Sequence, residues 1–365
     1  MLSNRISFSG EQGMLLETAV GFCRERSPVS AVRALMGGAD GFDPAVWAEM
    51  AALGWCGIAI PERFGGSGLG LAEVATVVEP MGRHLMATPF VSGQIAVQAL
   101  LAGGHMALLP RIAQGAIATT AVFERDGDWD LAAIEATATR HGDHLRLEGV
   151  KTLVEHGGVA EIVLASVRLD GAPALAVLEG PFAGRMRAEA VIDETRRSFS
   201  LDLTGLEIPT ASLITDPAAF IALRDAALLL SVAEAAGGIA GVLDVTVDYL
   251  NNRTAFGRKI GSYQSLKHAC ADILVGLERS RSHLYHAATL CGANEDAEVA
   301  LRMAKAEASD VFANAGDRAV QFHGGFGFTW DCDAQLYLRR ALWLQYSFGD
   351  AAHHRRKLAD LLLGD

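Results

Sequence analysis

Residues 253–264 read Arg253-Thr254-Ala255-Phe256-Gly257-Arg258-Lys259-Ile260-Gly261-Ser262-Tyr263-Gln264, and the plan of the C-terminal half follows from where this stretch falls. Two glycines and a run of basic residues interrupt an apolar pattern that is helical on both sides. Upstream, Asp216 and Pro217 supply an N-cap and a first-turn proline. Apolar residues then recur at helical spacing to about Asn252. Downstream, the same periodicity predicts helices over Ser265–Thr289, Glu295–Phe322 and Ala334–Tyr346, with a short tail helix over Ala351–Leu363. Four long helices around one break make a bundle.

Farther out the pattern changes twice. Segments 145–149 (LRLEG), 161–169 (EIVLASVRL), 174–180 (ALAVLEG) and 198–205 (SFSLDLTG) are short β-branched and leucine-rich runs. Gly, Asp and Pro punctuate them, which predicts antiparallel strands joined by turns. Before about Ala116 helical spacing returns, over Gln12–Arg26, Pro44–Leu53 and Leu71–Leu85. Between the last two lies WCGIAIPERFGGSGLG (55–70), whose Pro61 and glycines 65, 66, 68 and 70 predict a loop. The expected class is α+β multidomain: an N-terminal α-helical domain (1–116), a middle β-barrel or sandwich (117–213) and a C-terminal four-helix bundle (214–365).

The 365 residues carry a net charge of −12, which argues against non-specific binding to nucleic acid or to an anionic membrane. Five scattered cysteines without a CxxC pair suggest neither a zinc site nor a disulfide framework. They fit reduced thiols in a cytoplasmic protein. The most apolar run, 226–243, contains Glu234 and a Gly-Gly pair, so it reads as a buried bundle helix rather than a membrane span.

Three segments carry a resemblance. Leu53-Gly54-Trp55 through Ile60-Pro61-Glu62-Arg63-Phe64-Gly65-Gly66-Ser67-Gly68 is one. The Arg253–Gln264 stretch, followed by His268 and Asp272, is similar to an RxxFGxxIxxFQxxxHxxAD motif. Gln321-Phe322-His323-Gly324-Gly325-Phe326-Gly327-Phe328-Thr329, followed by Arg339-Arg340-Ala341, is similar to QxHGGxGxT…RRA. In this order and spacing they resemble the acyl-CoA dehydrogenase family over nearly the whole chain. The resemblance implies FAD, with Arg253, Phe256, Gln264, Gln321, Gly324 and Gly325 serving a cofactor bound mainly by the neighbouring subunit. It implies an oligomer, usually a dimer of dimers. The residue types suit such a ligand. A guanidinium fork matches a pyrophosphate, amides suit hydroxyl and amide partners, and glycines let backbone approach a ligand. Singly, Arg253 could pair with a surface carboxylate, Phe256 could be core, and Gly324-Gly325 could cap a helix. His268 and Asp272 read as helix-packing residues.

The sequence also departs from the family. There, a glutamate removes the α-proton of the thioester while hydride leaves the β-carbon for the flavin. Counting by family spacing, the two known positions of that base fall on Phe348 and Ala227, and neither side chain accepts a proton. The segment that bonds the flavin ring retains only Glu124 and Asp130. The segment that covers the ring reads Lys151-Thr152-Leu153-Val154-Glu155, with Leu153 for the covering aromatic and Glu155 for a hydroxyl at N5. An anion there would disfavour reduced flavin.

Elements serving a neighbour's FAD are thus kept, and those serving the chain's own are mostly lost. The pattern, together with Phe348-Gly349-Asp350…His353-His354-Arg355, resembles the heterotetrameric branch that degrades steroid side chains. It implies an acyl-CoA substrate, an electron-transfer flavoprotein and a second dehydrogenase-like subunit supplying the base. Two other readings stay open: a homo-oligomeric enzyme with Asp350 or Glu234 as base, and a subunit that binds CoA esters or is purely structural, without its own flavin. A buried carboxyl in an apolar helix has a raised pKa, but Glu234 could equally be a hydrogen-bonded core residue and Asp350 an N-cap.

Overall fold

The computed structural model describes residues 10–125, 129, 131, 133–291 and 296–364; Asp130 and Glu295 lie outside the described residues. The chain begins with α1 (Gly10–Arg26), α2 (Val29–Leu35), α3 (Pro44–Ala52), α4 (Leu71–Arg83), α5 (Phe90–Ala102) and α6 (Leu109–Ala113). Strands follow: β1 (Ala118–Ala121), β2 (Thr137–His141), β3 (His144–Glu148), β4 (Val150–Glu155), β5 (Ile162–Leu169), β6 (Ala172–Glu179), β7 (Met186–Glu189), β8 (Ser198–Asp202), β9 (Leu206–Pro209) and β10 (Leu213–Ile214). Then come α7 (Pro217–Asn252), the hairpin β11 (Thr254–Ala255) and β12 (Arg258–Lys259), α8 (Gln264–Leu290), α9 (Asp296–Phe322), α10 (Ala334–Tyr346) and α11 (Ala351–Leu363).

These elements form two compact units. One takes Met1–Ala34, Leu71–Met86 and Leu228–Asp365; the other takes Leu35–Gly70 and Ala87–Ala227. In the first, α9 is central and packs against α8, α10 and α11. Glycines set the helix crossings. A Cβ on Gly237 of α7 would stand 1.8 Å from the Glu79 carbonyl of α4, and one on Gly238 would stand 2.2 Å from the Phe312 ring of α9. The Gly-Gly pair inside the apolar run is therefore a close-packing device.

In the second unit the strands make two sheets. The larger runs β10-β6-β5-β2-β3-β9, with β1 pairing β5, and the smaller runs β4-β8-β7. Most pairs are antiparallel, but β1 and β2 each lie parallel to β5. Leu145, Leu147, Val163, Val167 and Leu201 share one buried cluster. Alternate residues of β3 enter it, as period-2 side-chain placement requires.

Asp216 caps α7 as expected: its Oδ1 accepts from the Ala218 N–H at 2.9 Å. Length and hydropathy would let α7 cross a membrane, yet 94% of its most apolar window is buried in the protein. It is a core helix.

Candidate functional site

In the first unit α7 ends at Asn252 and the chain turns through the β11–β12 hairpin. A pocket of about 620 Å³ opens beside it, lined by Tyr249, Arg253, Ala255, Ile260 and residues 322–326. The Tyr249 and His323 rings stack with centroids 4.1 Å apart, and Phe326 lies 6.4 Å from each. His323 Nδ1 sits 2.7 Å from the Ala319 carbonyl. A carbonyl only accepts, so Nδ1 is the donor. Gly324 has φ +61°, and a Cβ on Gly324 or Gly325 would meet nothing within 4 Å. Their backbone therefore faces open space, ready for a ligand.

Arg253 is exposed on the wall of this pocket. Among the described residues no carboxylate pairs with its guanidinium. A free fork, an aromatic shelf and uncovered glycine backbone together suit a nucleotide carrying a pyrophosphate, so the residues present fit the nucleotide part of FAD.

Of the six cofactor candidates, Arg253, Gly324 and Gly325 line the pocket. Phe256, Gln264 and Gln321 are exposed outside it. Phe256 is 95% exposed at the hairpin tip, so it is not core. His268 and Asp272 are exposed on α8, which corrects the packing role expected for them; the buried face of α8 is formed instead by Ile273, Gly276, Leu277, Ser280, Leu284 and Ala287. Sequence reasoning missed Tyr249 and Phe326. Tyr249 had a signal, since it lies one helical turn before Arg253 and so on the same face.

Both carboxylates considered as bases are committed elsewhere. Glu234 is 2% exposed and accepts from Arg340 Nη1 at 2.5 Å. Arg340 itself is fully buried and also reaches the Leu85 carbonyl at 3.4 Å. Asp350 is the N-cap of α11, with Oδ1 accepting from the His353 N–H at 2.7 Å. Of the two positions reached by family spacing, Ala227 is fully buried. Phe348 is half-buried in the corner between α10 and α11, in the left-handed region at φ +58°.

In the second unit Lys151 is fully buried, bonded to Glu124 and at 2.8 Å to Ser166 Oγ. Burial pushes Glu124 up, but hydrogen bonds from Lys151 and from the Ala136 and Glu135 N–H groups outweigh it and hold the carboxyl below its usual range. These residues peg the small sheet. Leu153 sits at a register shift in β4 with φ +54°, 41% exposed, and its N–H donates to Glu189 Oε2 at 3.0 Å. Glu155 is ion-paired with Arg196, which is 6% exposed. The expectation of a bare anion at this position is corrected: the guanidinium offsets its charge.

Known proteins bear on this arrangement. The family profile described as acyl-CoA dehydrogenase, N-terminal domain, matches residues 9–116, and that described as acyl-CoA dehydrogenase, C-terminal domain, matches residues 228–363. The acyl-CoA dehydrogenase IpdE2 of Mycolicibacterium smegmatis is 32% identical over 336 residues, covering 91% of this chain and 93% of that protein. A solved structure described as a Tcur3481–Tcur3483 steroid ACAD is 28% identical, with a TM-score of 0.89 over 97% of this chain and 98% of that one. Butyryl-CoA dehydrogenase from Megasphaera elsdenii shares the fold, at 20% identity and a TM-score of 0.88, covering 98% of this chain and 99% of that one. Matched over nine-tenths of its length and carrying a pocket suited to the cofactor's nucleotide, this chain belongs to the acyl-CoA dehydrogenase family, FAD-dependent oxidoreductases that act on CH–CH bonds.

Proposed function

We propose that this chain works as one subunit of a hetero-oligomeric acyl-CoA dehydrogenase whose partner supplies the catalytic glutamate. The observation that carries the reading is the state of the carboxylates. The two positions where the family places its base hold Ala227 and Phe348, Glu234 is locked to Arg340, and Asp350 caps a helix. A general base needs a free carboxylate within reach of its proton, and none of these four positions offers one.

FAD, when bound, accepts the hydride that leaves the β-carbon of the thioester. In this reading the chain would hold the cofactor's far end: Arg253 would supply the fork for the pyrophosphate, the Tyr249–His323–Phe326 shelf would flank the nucleotide, and Gly324-Gly325 would offer backbone N–H groups. The described residues of the second unit offer the flavin ring little: Leu153 replaces the covering aromatic, and Glu155 is tied to Arg196. The 28%-identical structure whose name joins two chains and a steroid supports a second dehydrogenase-like chain and a bulky acyl group. In this reading the assembly is a cytoplasmic tetramer that passes electrons to an electron-transfer flavoprotein. Its chain divides near residues 116 and 213 into helical, β and bundle domains.

Substituting Arg253→Ala in the co-expressed assembly tests the role. Flavin per assembly should fall at least about tenfold, since one charge-assisted fork contributes on the order of 1.5–3 kcal/mol, while the subunits stay associated on gel filtration. Undiminished flavin would remove Arg253 from the cofactor site and sink the proposal.

A further inference from the structure

Helix α8 buries Ile273, Gly276, Leu277, Ser280, Leu284 and Ala287. On a surface helix the opposite face is ordinarily polar. The middle of this one is apolar. Lys267, Ala271, Leu274, Val275 and Glu278 are all exposed, and their three- and four-residue spacing places them in one stripe. Leu274 is 48% exposed and Val275 58%. A β-branched residue lowers helix propensity at such a position, and neither side chain gains anything there from the core of its own chain.

The two ends of the stripe carry opposite charges. Lys267 has no side-chain partner among the described residues. The Glu278 side chain is 62% exposed, and its Oε1 accepts from Arg281 Nη1 at 3.1 Å. That guanidinium is held more closely by Glu79, at 2.7 Å. Oε2 of Glu278 has no partner among the described residues, so the carboxylate is open to a second cation.

The stripe is complementary to itself. Its centre, midway between Asp272 and Ile273, lies five and a half residues, about 8 Å along the axis, from both Lys267 and Glu278. Around the same centre Ala271 mirrors Leu274, and Cys270 mirrors Val275. A second α8 laid antiparallel therefore sets lysine against glutamate twice, and a small side chain against a large one. A parallel mate would set like charges together, which is unfavourable. Asp272 stands about 100° round the helix from Ala271, on the flank, so the two copies' Asp272 carboxylates do not meet head-on. Residue i facing j while j faces i is the condition for a two-fold interface. We propose that this face of α8 docks a second copy of this chain, antiparallel across a two-fold axis, and so joins two unlike pairs into a four-chain assembly. The contact between like chains stands apart from the proposed function; only its place in a four-chain assembly rests on that reading.

Sedimentation velocity tests this, on the chain alone and on the assembly co-purified with its partner. The variants are Val275→Asp, Lys267→Glu, Glu278→Lys, and Lys267→Glu with Glu278→Lys. The wild-type chain alone should sediment as two copies. Val275→Asp puts an unpaired charge into the contact and should leave one copy. Lys267→Glu and Glu278→Lys should each weaken self-association by about tenfold or more, since each turns two attractions into repulsions. The double swap restores opposite charges and should bring association back to within about threefold of wild type. It also serves if Val275→Asp fails to fold. In the assembly, Val275→Asp should halve the mass to one unlike pair, with flavin per pair within about twofold of wild type. A wild-type chain that sediments as a single copy, or a mass that ignores Val275→Asp, overturns the proposal. So does a double swap no better than either single change, which would assign the stripe to the unlike partner, whose charges do not change with it. An assembly without flavin would count against the proposed function and leave the sedimentation result to decide this contact.

Discussion

Phe256 stands at the first central position of a two-residue hairpin turn, with φ +52°, and Gly257 follows at +77°. Such turns favour Asn or Asp before Gly, because an aromatic residue pays a steric penalty of about 1 kcal/mol in this region. The substitution Phe256→Asn should therefore raise the melting temperature of the chain by about 2 °C, read by thermal denaturation. A drop would show that the exposed ring makes contacts that stabilise the fold. Asp350→Ala removes a cap and should cost about 1 kcal/mol in denaturant unfolding. Activity of the assembly should stay within about twofold, whereas a loss of 100-fold or more would restore Asp350 as the base. Capping is local chemistry, so the pairing of Asp216 with Pro217 was legible in the sequence. The Arg340 partner of Glu234 was not, since nothing near position 234 announces a guanidinium 106 residues away.

The four C-terminal helices and the tail helix start and end within about two residues of the positions set by apolar spacing, a tolerance normal for helix ends. Helix α5 has no such period, because it is buried along most of its length. The division of the strands into two sheets was equally hidden: pairs such as β3–β9 and the parallel β1–β5 join distant segments whose local patterns carry no record of the partner. Two predictions belong to the helices. Arg340→Met leaves the Glu234 carboxylate buried without its guanidinium and should cost about 3–5 kcal/mol. Adding Glu234→Met should return most of that, since an apolar pair avoids the desolvation of both ions. Paired unfolding curves decide, and a double variant no better than the single would mean that the ion pair itself is required.

Lys305 links α9 to stability through pH. Burial lowers its pKa from 10.5 to about 7. Below pH 7 both the folded and unfolded chains hold the proton and the slope is flat. Above it only the unfolded chain does, so stability rises with pH, by at most about 1.4 kcal/mol per unit. Buried Cys23 and Cys56 act oppositely from about pH 9, because their folded pKa values lie near 12. Chemical denaturation of the wild type and of Lys305→Met between pH 7 and 8.5 should thus show a steeper rise in the wild type. Equal slopes would place the ammonium in contact with water.

At the scale of the molecule, one chain carries in its helical unit a pocket suited to a nucleotide, and in its β unit a strand with Leu153 exposed and Glu155 paired with Arg196. The sequence offered this contrast as an expectation, in the motifs kept around Arg253 and His323 and those changed around Leu153. The compensation of Glu155 by Arg196 was not legible there, because it depends on how the strand and the loop preceding β8 meet in space. In the proposed function this chain completes a partner's flavin site rather than building one alone. The measurement that tests it most directly is the flavin absorbance of the chain purified by itself, counted per chain, beside that of the chain co-purified with a second dehydrogenase subunit. The chain alone should carry essentially no flavin, and the co-purified assembly about one flavin per pair of unlike subunits. One flavin per isolated chain, bleached on addition of an acyl-CoA, would contradict it.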